Sequence, residues 1–198
     1  MQPVTAEPLR VAFRRQVREQ ALEAASALAV EHGWDRVRMG QVALATGVSR
    51  PTLYKEFGDK QGLGEALVRT ETERFLVGVA LVLEAADSVE TGVREAVRFA
   101  LTEADGSPLL HAVLTSTRAD DVGLLPLLTT RSAPLLEAAS AVMTAFLHAR
   151  LPAHDERDVV EAADALVRLV VSHLVQPDGP PRATAERLAR VALRVLRL

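Results

Sequence analysis

The chain of 198 residues contains no cysteine. That excludes disulfides, thiolate metal sites and thiol catalysis. Aromatic residues are scarce: one tryptophan, one tyrosine and five phenylalanines. Strand signals are missing too. No segment alternates apolar and polar residues with β-branched enrichment between hairpin turns. Long apolar runs are absent; the longest, Phe75 to Leu83, stops at Glu84. A membrane span needs about 20 such residues. The N-terminus lacks the basic, apolar, small-residue order of a signal peptide. These absences lead us to expect a cytoplasmic protein that does not engage the membrane.

Catalytic and metal chemistry lack support as well. The five histidines (His32, His111, His148, His154 and His173) do not have metal-motif spacing. The segment Gly58 to Gly64 is glycine-rich, but it fits neither a P-loop nor a dinucleotide fingerprint, and no strand precedes it. There is no Gly-x-Ser-x-Gly elbow. We expect no enzyme, no cofactor and no metal.

What is present reads as helix. The chain is 48% hydrophobic and 25% charged, an ordinary globular balance. Ala, Leu, Arg and Glu dominate, all good helix formers. The formal net charge is -3 and is unevenly spread: residues 1–60 hold nine basic and seven acidic residues, and the remainder fourteen and nineteen. Both lysines, Lys55 and Lys60, lie in the first part. A basic module on an acidic body points to an anionic partner for the module, although two charges are a small bias.

Apolar spacing and glycine or proline punctuation predict helices over about 13–32, 39–46, 50–57, 60–86, 87–104, 108–118, 121–130, 134–151, 155–176 and 183–198. Asp59 should cap the long fourth helix, and Asp87-Ser88-Val89-Glu90 should open the fifth. The fold class is all-α.

The informative stretch is Val37 to Leu63. Two short helices joined by Gly47-Val48-Ser49, after a longer first helix, form a helix-turn-helix pattern. Val42, Val48, Leu53 and Phe57 would anchor its core, and Trp34 would close it. Ser49 suits an N-cap, and Pro51 is tolerated only in a first turn. Arg50, Thr52 and Lys55 then point outward. Arginine pairs bidentately with guanine, and threonine touches the thymine methyl. Tyr54 and Lys60 can reach phosphate.

The stretch GVSRPTLYKEFGDKQGL resembles the DNA-reading segment of the tetracycline-repressor (TetR/AcrR) family. ALEAASALAVEHGW is similar to that family's first helix, and MGQVALATGVS to its second helix and turn. The match covers about residues 14–65 at the level of motifs, and only the architecture after that. It implies a helix-turn-helix DNA-binding domain over 1–60. Over 61–198 it implies an all-helical effector-binding and dimerisation domain. Ser49, Arg50, Pro51, Thr52, Tyr54 and Lys55 would form the reading surface, with Tyr54 and Lys60 on phosphates and Gln41 near the backbone or a base. The chain departs from the pattern at Arg38, where the family often has a Thr or Ser cap. There Arg38 could contact phosphate instead. Gly40 departs as well, weakening the second helix by ~1 kcal/mol relative to Ala.

Further along, helix 155–176 is apolar on much of its circumference, which points to burial on two sides. By resemblance, the last two helices of each subunit pair as a four-helix bundle in a homodimer. Val160, Val167, Val171, Leu174, Leu188, Val191 and Val195 are the candidate interface. Acidic residues on helix 155–176 and arginines on 183–198 read as solvated faces before they read as a complementary rim. An effector cavity is expected among Phe75, Val79, Phe99, His111, Thr115, Met143 and Phe146. Its ligand should be small and apolar, since aromatics are too few for a stacking cage. Together these give a dimeric regulator, by default a repressor. It would bind quasi-palindromic double-stranded DNA through residues 50–57 and be released by the effector. The alternative is a helical protein-interaction module without specific DNA binding.

Overall fold

The computed structural model of the chain describes residues 9–109 and 133–198. Its helices are α1 (Leu9–His32), α2 (Met39–Thr46), α3 (Arg50–Phe57), α4 (Lys60–Glu84), α5 (Val89–Asp105), α6 (Ala133–Arg150), α7 (Glu156–Val175) and α8 (Pro181–Val195). A 3-10 turn, Trp34–Arg36, links α1 to α2. No strand occurs among the described residues. No helix among them is long and apolar enough to cross a membrane. The helices expected over 108–118 and 121–130 lie largely outside the described residues.

Local chemistry sets the helix ends. Gly47 adopts φ 68°, a left-handed conformation that closes α2 and frees the chain to turn. The Ser49 hydroxyl accepts the Thr52 amide at 3.3 Å and opens α3. Asp59 accepts the Gly62 amide at 2.8 Å and opens α4. The fifth helix starts one step later than the capping motif indicates. Ser88, not Asp87, is the cap, because its extended backbone immediately precedes the helix and its hydroxyl accepts the Thr91 amide at 3.1 Å. α8 starts at Pro181 rather than 183, since a first-turn proline leaves no amide unsatisfied.

Two apolar cores follow. The first gathers Ala21, Ala25, Trp34, Val37, Val42, Leu53 and Phe57 with Leu63 and Leu67 of α4. The second gathers Val93, Val97, Met143, Leu147, Val159, Leu166 and Leu188 with Val79 and Leu83 of the same α4. α8 packs along α5 and α7, and α6 lies against α7 and α4. One continuous helix thus enters both cores, so tilting it at one end moves packed side chains at the other.

Candidate nucleic-acid interface and effector cavity

In α3, Leu53 and Phe57 are buried while Arg50, Pro51, Tyr54 and Lys55 are exposed. One face anchors the helix and the other meets solvent. Thr52 is half-buried, and its hydroxyl lies 2.8 Å from the Ser49 hydroxyl, so both belong to the cap. Arg50 reaches across to α2. A Cβ built on Gly40 would stand 2.6 Å from the Arg50 Nη2. The glycine leaves room for that guanidinium.

At the start of α2, Arg38 offers no acceptor, so its side chain cannot cap. Gln41 does half of the work: its Oε1 accepts the Arg38 amide at 2.8 Å. The Arg38 guanidinium folds back to donate to the carbonyls of Asp35 at 2.5 Å and Val37 at 3.1 Å. Lys60 converges on the same turn. Its Nζ donates to the Asp35 carbonyl at 3.1 Å and stands 5.3 Å from the centre of the Trp34 ring. Burial, and then repulsion from Arg38, hold its ammonium below the usual lysine range, with Asp35 opposing them. Arg38 and Lys60 are therefore anchored on the head by these bonds, and each keeps further N–H donors that can meet a phosphate.

A cluster that the sequence reading left unassigned ties α3 to α1. Glu56 accepts from Arg14 at 3.1 Å and from Arg18 at 3.2 Å. Its side chain is 13% exposed, against 71% for Arg14 and 29% for Arg18. The Arg18 guanidinium also stands 5.2 Å from the centre of the Phe57 ring. No local spacing signals a pairing across some forty positions.

A cavity of about 380 Å³ opens among α4, α5, α6 and α7. Phe75, Val79, Phe99 and Met143 of the candidate effector residues line it, together with Val97, Leu166, Val167, Val170, Val171 and Leu174. Glu71, Thr72, Arg74, Glu103 and Ser107 supply its polar groups. Phe146 stands outside this wall; its ring fits against Gly92, and Arg150 lies over it at 5.5 Å. His111 and Thr115 lie outside the described residues.

The candidate interface residues divide. Val160, Val191 and Val195 are exposed, as are Leu169 and Leu198. Val167 and Leu188 are buried within the subunit, and Val171 and Leu174 are half-buried along the cavity. Glu161 and Asp164 of α7 pair within their own helix. Arg157–Glu161 and Arg168–Asp164 both lie at 2.7 Å, and Asp155 caps the helix by accepting the Arg157 amide at 2.9 Å. Among the described residues, no group of three or more metal-ligating side chains clusters.

Residues 21–67 match the family described as "Bacterial regulatory proteins, tetR family". Residues 88–194 match "Bacterial Tetracyclin repressor, C-terminal domain". The chain is 30% identical to the HTH-type transcriptional regulator AlkX of Mycobacterium tuberculosis, over 96% of this chain and 89% of that one. The crystal structure of the TetR family repressor AlkX from a Dietzia species, implicated in biodegradation of n-alkanes, superposes with TM-score 0.73. It is 28% identical, over 90% of this chain and 96% of that one. A stretch of 58 residues, 29% of this chain and 28% of that one, is 38% identical to the HTH-type transcriptional repressor ComR of Escherichia coli. These relatives are named as regulators, not enzymes. With its helix-turn-helix head and its all-helical body, the chain belongs to the tetracycline-repressor family of bacterial transcriptional regulators.

Proposed function

We propose that this regulator is a cytoplasmic repressor that works as a homodimer on a quasi-palindromic operator and is released by a small apolar effector. The observation that carries the DNA mode is the outward row of Arg50, Tyr54 and Lys55 on α3, held by the buried Leu53 and Phe57. Arg50 and Lys55 are suited to base edges and phosphates, and Tyr54 to phosphate. Two such helices must meet major grooves about 34–36 Å apart, or a multiple of that distance. The exposed Val160, Val191 and Val195 of α7 and α8 support a two-fold pairing of bodies.

Release follows from α4. A ligand that prefers another arrangement of the second core tilts this helix and resets the first core. DNA and ligand then oppose each other through one coupling free energy, roughly 1–3 kcal/mol. The apolar wall of the cavity supports an aliphatic ligand. So does the likeness to AlkX, implicated in n-alkane biodegradation in Dietzia.

Gel-shift titration against duplexes selected from a random pool tests this reading. Double substitution Arg50→Ala/Tyr54→Ala should abolish specific binding and leave the dimer intact. A palindrome should bind far more tightly than one half-site. Equal binding of both would sink the dimeric mode, and no selected duplex at all would favour a protein-interaction module.

A further inference from the structure

Glu71 and Arg74 form an ion pair at 3.2 Å on α4. Both line the apolar cavity, and both also line a groove of about 500 Å³ between α1 and α4. Arg18 stands in that groove while holding Glu56 of the recognition helix at 3.2 Å. These two carboxylates are unequally supplied. Glu56 has two arginines, Arg14 and Arg18, whereas the ion pair of Glu71 among the described residues is with Arg74.

We propose that Arg18 couples the cavity to the recognition helix by passing between two carboxylates, Glu56 and Glu71. Among the described residues, Arg74 is the one cation lining the cavity. An occupant with an apolar body and an acceptor group at one end therefore has a single cationic partner. Engaging Arg74 frees Glu71 at the groove. Arg18 can turn to it cheaply, because Arg14 still holds Glu56. The recognition helix then loses one of its two ties to α1, and Phe57 loses the guanidinium over its ring. This mechanism rests on the effector reading above and narrows it, since the aliphatic ligand must end in a hydrogen-bond acceptor that engages Arg74.

Arg74 is 65% exposed, so removing it spares the fold and imitates capture by a ligand. In the full-length protein, with a selected duplex, Arg74→Ala should weaken operator binding up to about fivefold, the scale of one exposed ion pair. Arg74→Ala/Glu71→Gln should recover that loss. In a Glu56→Gln background, Arg74→Ala should have no further effect, since the tie is already gone. Unchanged affinity in Arg74→Ala, failure of Glu71→Gln to restore it, or additivity with Glu56→Gln would each overturn the mechanism. A wild-type protein that bound no duplex would sink the regulator reading instead. The guanidinium ¹⁵N resonances of Arg18, followed without DNA, would then decide. A shift on Arg74→Ala that Glu71→Gln reverses supports the exchange, and no shift overturns it.

Discussion

The guanidinium of Arg50 occupies the space that a side chain at position 40 would fill. A Cβ on Gly40 would meet its Nη2 at 2.6 Å. Glycine in the first turn of α2 costs at most the roughly 1 kcal/mol of a helix-interior glycine relative to alanine, so the short α2 gives up some stability to seat the first residue of α3. Gly40→Ala should raise stability by up to about 1 kcal/mol while displacing Arg50. Operator affinity should fall, but no further than in Arg50→Ala. Urea unfolding and gel shifts on the same samples separate the two effects.

Gly78 plays a comparable part beside the cavity. A Cβ there would stand 2.5 Å from Cζ of Phe99, whose ring centre lies 6.0 Å from that of Phe75. Gly78→Ala should push Phe99 toward the cavity at a cost of about 1–3 kcal/mol. Operator affinity without ligand should hold. In thermal-shift measurements with a series of linear alcohols, the preferred chain length should shorten.

Val191 and Val195 are exposed on one flank of α8, so aspartate there leaves the subunit core untouched. Val191→Asp/Val195→Asp should sediment as a folded monomer and bind a palindromic duplex no better than a half-site. A dimer of wild-type strength would move the interface elsewhere.

Glu95 sits between Arg98 at 2.7 Å and Arg94 at 3.4 Å. The hydrogen bond from Arg98, above all, holds its carboxyl below the usual glutamate range, with Arg94 adding to the effect. A carboxylate whose pKa falls on folding contributes stability above its unfolded pKa and loses it as pH drops through the folded value. Glu95→Gln should therefore be less stable at neutral pH, by under about 1 kcal/mol given its exposure. The difference should vanish in acid. Chemical unfolding followed from neutral pH into acid, past the ordinary glutamate range near 4.3 and through the lower folded-state value, measures it.

Much of the head was legible before the structure. α2 and α3 fall on the expected residues, because a glycine in the left-handed region and a serine cap act within a few positions of themselves. The outward aim of Lys55 follows from helical periodicity, since it lies opposite Phe57, whereas Arg50, three residues before Leu53 and seven before Phe57, shares their face by spacing and is exposed because it opens the helix and reaches over Gly40. The cap at Ser88 and the start of α8 at Pro181 differ by one or two positions from the expected ends. There the motif offers neighbouring candidates, and only backbone geometry chooses among them.

The sequence by itself determined the all-helical class, the helix-turn-helix and the family, since these depend on residues close together in the chain. Tertiary structure alone decided the long-range charge contacts. It turned Lys60 onto the Asp35 carbonyl and joined Glu56 to Arg14 and Arg18. It also placed Phe146 against Gly92 and outside the cavity. The physical reason is reach. A long side chain on a helix surface chooses among partners brought near by packing, and periodicity specifies its face but not its neighbour.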